Sequence, residues 1–351
     1  MHLYGKEEAI PPGFRLEARM PAVYAHHFFA EHAIALLPPR TLASLDESYA
    51  FTLGNQGPDP LFFRWRGSRA DARVAHSLAR ACHRTLPTTE LETARAAEDD
   101  ADEAEPGAGP VARAFALGLL AHYVLDSTTH PFVYAQEASL IDAADGLEDA
   151  QSETHAVIEA ELDSMMLWRE RGKTVADYPD GLLPEVPTRV LEVADLVMGM
   201  VAGDVYGVTL PDDVYRSSLE DMRWCYRHIE PAGSLKARAV GTCERAFRSH
   251  SQAQAMAHPV MRQDTCPSDN PDHLPWRDPF TGRTSKASFT DLFDEALRRW
   301  GDAAELSVAG EPLVRVTHHR NHNGRALAPE EDRPLADLSG TARTSLRHEV
   351  R

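Results

Sequence analysis

At 351 residues, 43% hydrophobic and 26% charged, the chain has the make-up of a folded protein with a sizeable core. A formal net charge of −18 argues against attraction to a nucleic-acid backbone or an anionic membrane surface, so no DNA partner is expected. There is no run of ~18 apolar residues for a membrane span and no apolar signal core at the N-terminus. The scattered Cys82, Cys225, Cys243 and Cys266 have neither zinc-knuckle nor redox spacing, and a cytoplasmic location is the default expectation.

Residues 1–19 are polar and rich in Pro and Gly and read as an N-terminal extension outside the fold, either disordered or not translated. Met20-Pro21-Ala22 opens an amphipathic pattern in which Tyr24, Phe28, Phe29, Ile34 and Leu37 recur at near-helical spacing until Pro38-Pro39. Leu42 to Phe51 suggests a second short helix, and Gly54-Asn55-Gln56-Gly57-Pro58-Asp59-Pro60 is a loop by its composition. Residues 69–86 form another helical stretch, carrying His76. Residues 90–110 are acidic and Ala-rich and read as a solvated insertion between helices. Helices are expected over 111–130, 151–171, 186–203, 212–229 and 234–257, and a last one over Phe289 to Leu306 after a turn-rich stretch from Asp269 to Ser288. Strand-like alternation is scarce. The helical domain is therefore expected over 20–306, with a polar tail over 307–351 that is poorly ordered. In that tail His318, His319 and His322 form a sparse histidine tract and are read as solvated.

The chemistry concentrates in two of these helices. His122, Asp126 and His130 follow one another at intervals of four, as do His155 and Glu159, and residues four apart share a helix face. Imidazole with carboxylate suits zinc or a similar divalent ion. A helical turn rises ~5.4 Å, which lets His122 and Asp126 reach one ion but sets His130 two turns from His122, too far for bonds of ~2.0–2.1 Å. The spacing therefore favours at least two ions. Pro131 is expected to end the helix and free His130 to turn toward the second, where His155 and Glu159 would join it. His26, His27 and His32 on the first helix, Asp59 in the loop and His76 are candidates for the remaining positions.

Taken singly, a His-x-x-x-Asp pair is an ordinary hydrogen-bonded pair, and only the joint pattern points to metal. Diiron bundles use a Glu-x-x-His pair on each of two helices, which does not match the spacing here. The His-Glu-x-x-His of zinc proteases and the adjacent His-Asp of the other common helical phosphohydrolase type are absent. Ions a few ångströms apart suit phosphoester hydrolysis, because they acidify a water, align it with phosphorus and neutralise the leaving oxygen.

Over most of residues 20–300 the sequence resembles the zinc-dependent phospholipase C family, related to fungal single-strand-specific nucleases. The matching pieces are Met20-Pro21-Ala22-Val23-Tyr24-Ala25-His26, Gly54 to Asp59, His76, the His122/Asp126/His130-Pro131 segment and His155/Glu159. Asp272-His273-Leu274-Pro275-Trp276, with Gly282 and Ser288-Phe289, is similar to intracellular bacterial members. The resemblance implies an all-α, multi-helix bundle around a cluster of two to three zinc ions. It implies that Asp59, His76, His122 and Asp126 hold one ion and that His130, His155 and Glu159 hold a second. His26 and Asp126 would contribute to a third, with Asp126 bridging. It also implies that Asp59 orients or deprotonates the attacking water. Secreted members complete the third site with the amine of a mature N-terminus. A start at Met20 followed by loss of that methionine would expose Pro21, five residues before His26.

Two functions are therefore expected to compete. The first is a zinc-dependent phosphodiester hydrolase, phospholipase C-like, acting on a phospholipid or on a soluble phosphoester. The second is a non-catalytic helical protein with structural zinc. Coordination separates them, since structural ions are closed by four protein ligands and catalytic ones keep an open position.

Overall fold

The alternation of Ala, Leu and Gly before His122 makes a helix buried nearly all round, and this helix is the axis of the molecule. In the computed structural model, which describes residues 22–178 and 185–332, it is α5 (Gly109–Ala143). Residues 1–19, the possible starts at Met1 and Met20, Pro21, and the tail beyond 332 lie outside the described residues. Around α5 pack α1 (Val23–Ala35), α2 (Leu45–Gly54), α3 (Arg69–Arg84), α4 (Pro87–Ala104) and α6 (Gln151–Arg171). Then come α7 (Thr188–Met200), α8 (Val214–Ile229), α9 (Leu235–Glu244), α10 (Gln252–Met256), α11 (Phe289–Val308) and α12 (Val314–Thr317). The expectation of an all-α fold is met. The sheet among the described residues is a two-residue antiparallel pairing of β1 (Trp276–Arg277) with β2 (Thr284–Ser285). No helix among the described residues is long and apolar enough to cross a membrane.

The crossing of α2 and α5 is set by glycine. A Cβ on Gly118 of α5 would lie 2.3 Å from the Phe51 carbonyl oxygen of α2, so the two backbones touch where side chains would hold them apart. This contact brings the loop after α2, and with it Asp59, against the face of α5 that carries His122.

Three elements depart from the sequence expectation. The helix expected to stop near His130 runs through Pro131 to Ala143. A proline removes one backbone hydrogen bond but need not end a helix whose flanks are packed, and here Phe132 and Val133 are buried just beyond it. The acidic stretch 90–110 is mostly α4, because Leu91, Ala94, Ala97 and Ala101 recur every three or four residues and are buried, while Asp99, Asp100, Asp102 and Glu103 are exposed and Glu90 alone among its acids is buried. The expected helix over 234–257 is two helices, the second capped by the Ser251 side chain, which accepts from the Gln254 N–H.

Residues 311–332 also differ from a disordered tail. They run as a strap against the end of α3, the start of α4 and the middle of α5, with the Tyr123 hydroxyl donating to the carbonyls of Thr317 and Arg320 at 3.2 and 2.8 Å. The Thr88 N–H donates to Asp332 at 3.0 Å.

Candidate metal centre

Where α1, α3, α5 and α6 meet the loop after α2, six histidines and three carboxylates form three groups of candidate metal ligands. His83, His122, Asp126 and His322 make one, His26, Asp59 and His122 a second, and His130, His155 and Glu159 a third. His122 and His130 fall into different groups, as helix pitch requires.

Each ligand is aimed by its element. The i,i+4 spacing on α5 puts His122 Nε2 at 3.2 Å from Asp126 Oδ2 and His130 Nε2 at 3.7 Å from Asp126 Oδ1. On α6 the same spacing leaves His155 Nε2 3.2 Å from Glu159 Oε1, and His130 reaches that oxygen from across the gap at 3.7 Å. His26 comes from the first turn of α1, with Nε2 at 3.1 Å from Asp126 Oδ1. Asp59 sits in the short 3-10 turn Asp59–Phe63, where its Oδ1 lies 3.0 Å from His83 Nε2. That turn depends on Gly57, whose φ of +58° favours glycine and whose Cβ would lie 2.4 Å from the His122 ring.

Asp126 is therefore shared. Its Oδ1 faces His26 and His130, and its Oδ2 faces His122, His83 at 3.6 Å and His322 at 3.9 Å. The far ring nitrogens have partners that fix the tautomer. His83 Nδ1 meets the Ala79 carbonyl at 2.7 Å, His122 Nδ1 the Asn55 carbonyl at 3.1 Å, and His155 Nδ1 the Glu137 carboxylate at 3.0 Å. An Nδ1–H donated outward leaves Nε2 with its lone pair turned inward, as a metal ligand requires.

Unsatisfied atoms show that the groups fit an ion. His122 Nε2, Asp126 Oδ2, Glu159 Oε2 and both ring nitrogens of His322 are buried with no hydrogen bond of acceptable geometry. Such atoms are rare in folded proteins unless something binds them. The His26 and His122 rings also stack with centroids 4.3 Å apart, a contact that suits two neutral metal-bound imidazoles better than two cations.

In the metal-free chain, proton affinities follow the same pairs. For His26, His83 and His155 burial alone would lower the pKa, but Asp126, Asp59 and Glu159 respectively outweigh it and raise each to about 9. Burial alone would raise Asp126, yet the charges of His122 and His130 hold it well below the usual carboxylate range. His322 is pushed far down by burial and by the neighbouring histidines, and Glu90 beside it is raised by burial to about 7.

Of the residues expected from sequence, the structure brings together His26, Asp59, His122, Asp126, His130, His155 and Glu159. His76 lies outside the three groups, and His83, on the same helix, stands beside Asp59. The two are seven residues apart, two turns or ~10.5 Å along one face, so periodicity could not choose between them. The largely buried His27 pairs with Glu31, and the exposed His32 pairs with Glu170. His322, read as solvated, is 1% exposed.

A cleft of about 230 Å³ opens at the cluster, lined by His26, Asp59, His83, Asp126, His130, His155 and Glu159. Arg80, Arg84, Tyr134 and Asn323 also line it. A family model described as zinc-dependent phospholipase C matches residues 25–183, a little under half of the chain. That segment is therefore similar to the zinc-dependent phospholipase C family. It holds every clustered ligand except His322. No curated protein and no solved structure matches the chain.

Proposed function

We propose that the protein is a phospholipase C-like, zinc-dependent phosphodiester hydrolase holding two to three ions. The observation that carries this reading is a set of buried ligands shared through Asp126 at a cleft. Similarity of the segment to that family and the three ligand groups suggest a metal-dependent phosphodiesterase. Divalent ions there supply Lewis acidity to a water and to the phosphoryl oxygens.

The chain's own residues divide the remaining work. Asp126, with its two oxygens turned to different histidines, would bridge two ions. Asp59 lines the cleft beside His83 and, besides ligating, would orient a water and accept its proton. Arg80 and Arg84 put positive charge in the cleft lining of a chain with net charge −18, which suits a phosphodiester anion. Similarity of Asp272–Trp276 to intracellular bacterial members supports that branch and a cytoplasmic location.

A purely structural role for the metal would require closed shells throughout. The group of His130, His155 and Glu159 offers three protein ligands and faces the cleft, which favours catalysis. The test is a panel of phosphatidylcholine vesicles and soluble phosphodiesters assayed with zinc-loaded protein and with chelator. Chelator-sensitive turnover of either class supports hydrolysis and identifies the substrate, and zinc binding without turnover of any member favours the structural reading.

A further inference from the structure

Of the six clustered histidines only His322 lies outside residues 25–183. The strap that carries it is pinned on both sides of the ring. The Asn321 side-chain amide donates to the Arg84 carbonyl at 2.9 Å, and its oxygen accepts from the Arg325 N–H at 3.0 Å. The Tyr123 hydroxyl holds the Thr317 and Arg320 carbonyls from α5. His322 is thereby pressed between Asp126, whose Oδ2 is 3.9 Å from its Nδ1, and Glu90, whose Oε2 is 3.9 Å from its Nε2.

Neither ring nitrogen makes a hydrogen bond, although both are buried. A buried polar atom left unmatched is costly, and nothing beside the ring relieves it. Its neighbours are other imidazoles, with the His83 and His122 ring centroids at 5.3 and 5.5 Å. One ring nitrogen from each of three imidazoles and one carboxylate oxygen all lie within 4.8 Å of one another. A divalent cation satisfies all four at once.

We propose that His322 is the fourth ligand of the ion held by His83, His122 and Asp126, which makes the C-terminal strap part of the metal centre. The inference rests on the metal-dependent reading above. Glu90, which accepts from the Tyr206 hydroxyl at 3.1 Å, is the carboxylate on the side of the far nitrogen, 3.9 Å away and beyond hydrogen-bond distance. Neither His122 nor His322 lines the cleft. With its four positions filled by protein, this ion has the closed shell of a supporting ion. The group of His130, His155 and Glu159 keeps the position that opens to the cleft.

The test uses the full chain, His322→Ala and His322→Cys, each stripped with chelator, reloaded with cobalt or zinc, and checked for folding by circular dichroism. The alanine variant is expected to lose about one ion per chain, or to bind its last ion at least tenfold more weakly. In the cysteine variant a sulfur, with its longer metal bond of ~2.3 Å, takes the place of Nδ1. It is expected to show a thiolate-to-cobalt charge-transfer band absent from the parent chain, whose four cysteines lie outside the ligand groups. An unchanged ion count and affinity in the folded alanine variant overturns the proposal. So does a folded, cobalt-loaded cysteine variant without the band, and that spectrum decides alone if the alanine variant does not fold. A parent chain that takes up no metal defeats the metal-dependent reading itself, and this inference with it.

Discussion

Asp126 is the residue on which the centre turns, because its two oxygens serve different histidines. Asp126→Asn keeps the shape and removes the charge, so it is expected to abolish hydrolysis and release metal together. His155→Ala, which touches only the third group, is expected to release about one ion. Elemental analysis of desalted protein checks both, and full metal content in either variant contradicts the assignment. A second consequence concerns pH. In the unfolded chain a histidine titrates near ~6.5, whereas His26, His83 and His155 are raised to about 9 in the metal-free fold. Their contribution to metal-free stability is therefore complete below about pH 6.5 and lost as pH rises through about 9. Metal requires the neutral rings and displaces those protons, so its effect runs the other way. The rise in Tm produced by zinc, measured by calorimetry against chelated protein, should be small at pH 6 and larger at pH 8. A rise that shrinks over that range would count against ligation by these histidines.

Helix α1 brings His26 to the centre, and its first turn is held by α6. The Asp163 carboxylate accepts the N–H groups of Tyr24 and Ala25 at 2.8 and 2.7 Å, donors that a helix start leaves without partners. Asp163 also meets His258 Nε2 at 3.1 Å, and the opposite ring nitrogen pairs with Glu230. The Glu230 charge and the Asp163 hydrogen bond raise His258 to about 10 against a burial effect that alone would lower it. Asp163→Ala removes one partner from a buried charged network. It is expected to cost about 3–5 kcal/mol in urea unfolding and to weaken metal binding at His26; a loss below about 1 kcal/mol would show that α1 is held by other means. At this scale the sequence was legible where residues repeat along one helix face. The pairs on α5 and α6 fall on shared faces, and pitch alone divides them between candidate ligand groups. His83 escaped because His76 lies on the same face two turns away, and what selects between them is Asp59, delivered by a loop. Pro131 misled because its local cost is outweighed by the packing of Phe132 and Val133 beyond it.

For the whole molecule, composition and periodicity were enough for an all-α architecture, and resemblance supplied the candidate ligands within the family-matched segment except His83. What could not be read is how distant segments meet. The strap from 311 to 332 is polar in sequence and resembles a solvated tail, yet its hydrogen bonds to Arg84, Thr88 and Tyr123 carry His322 into the interior. Those bonds are all non-local, and no periodicity announces them. The central claim is that the ligands gathered from these segments hold ions that hydrolyse a phosphodiester. Its most direct test is the rate of p-nitrophenol release from bis(p-nitrophenyl) phosphate by the full chain before chelation, after chelation, and after zinc is restored. The account predicts turnover that disappears on chelation and returns with zinc; turnover that chelation leaves unchanged would contradict it.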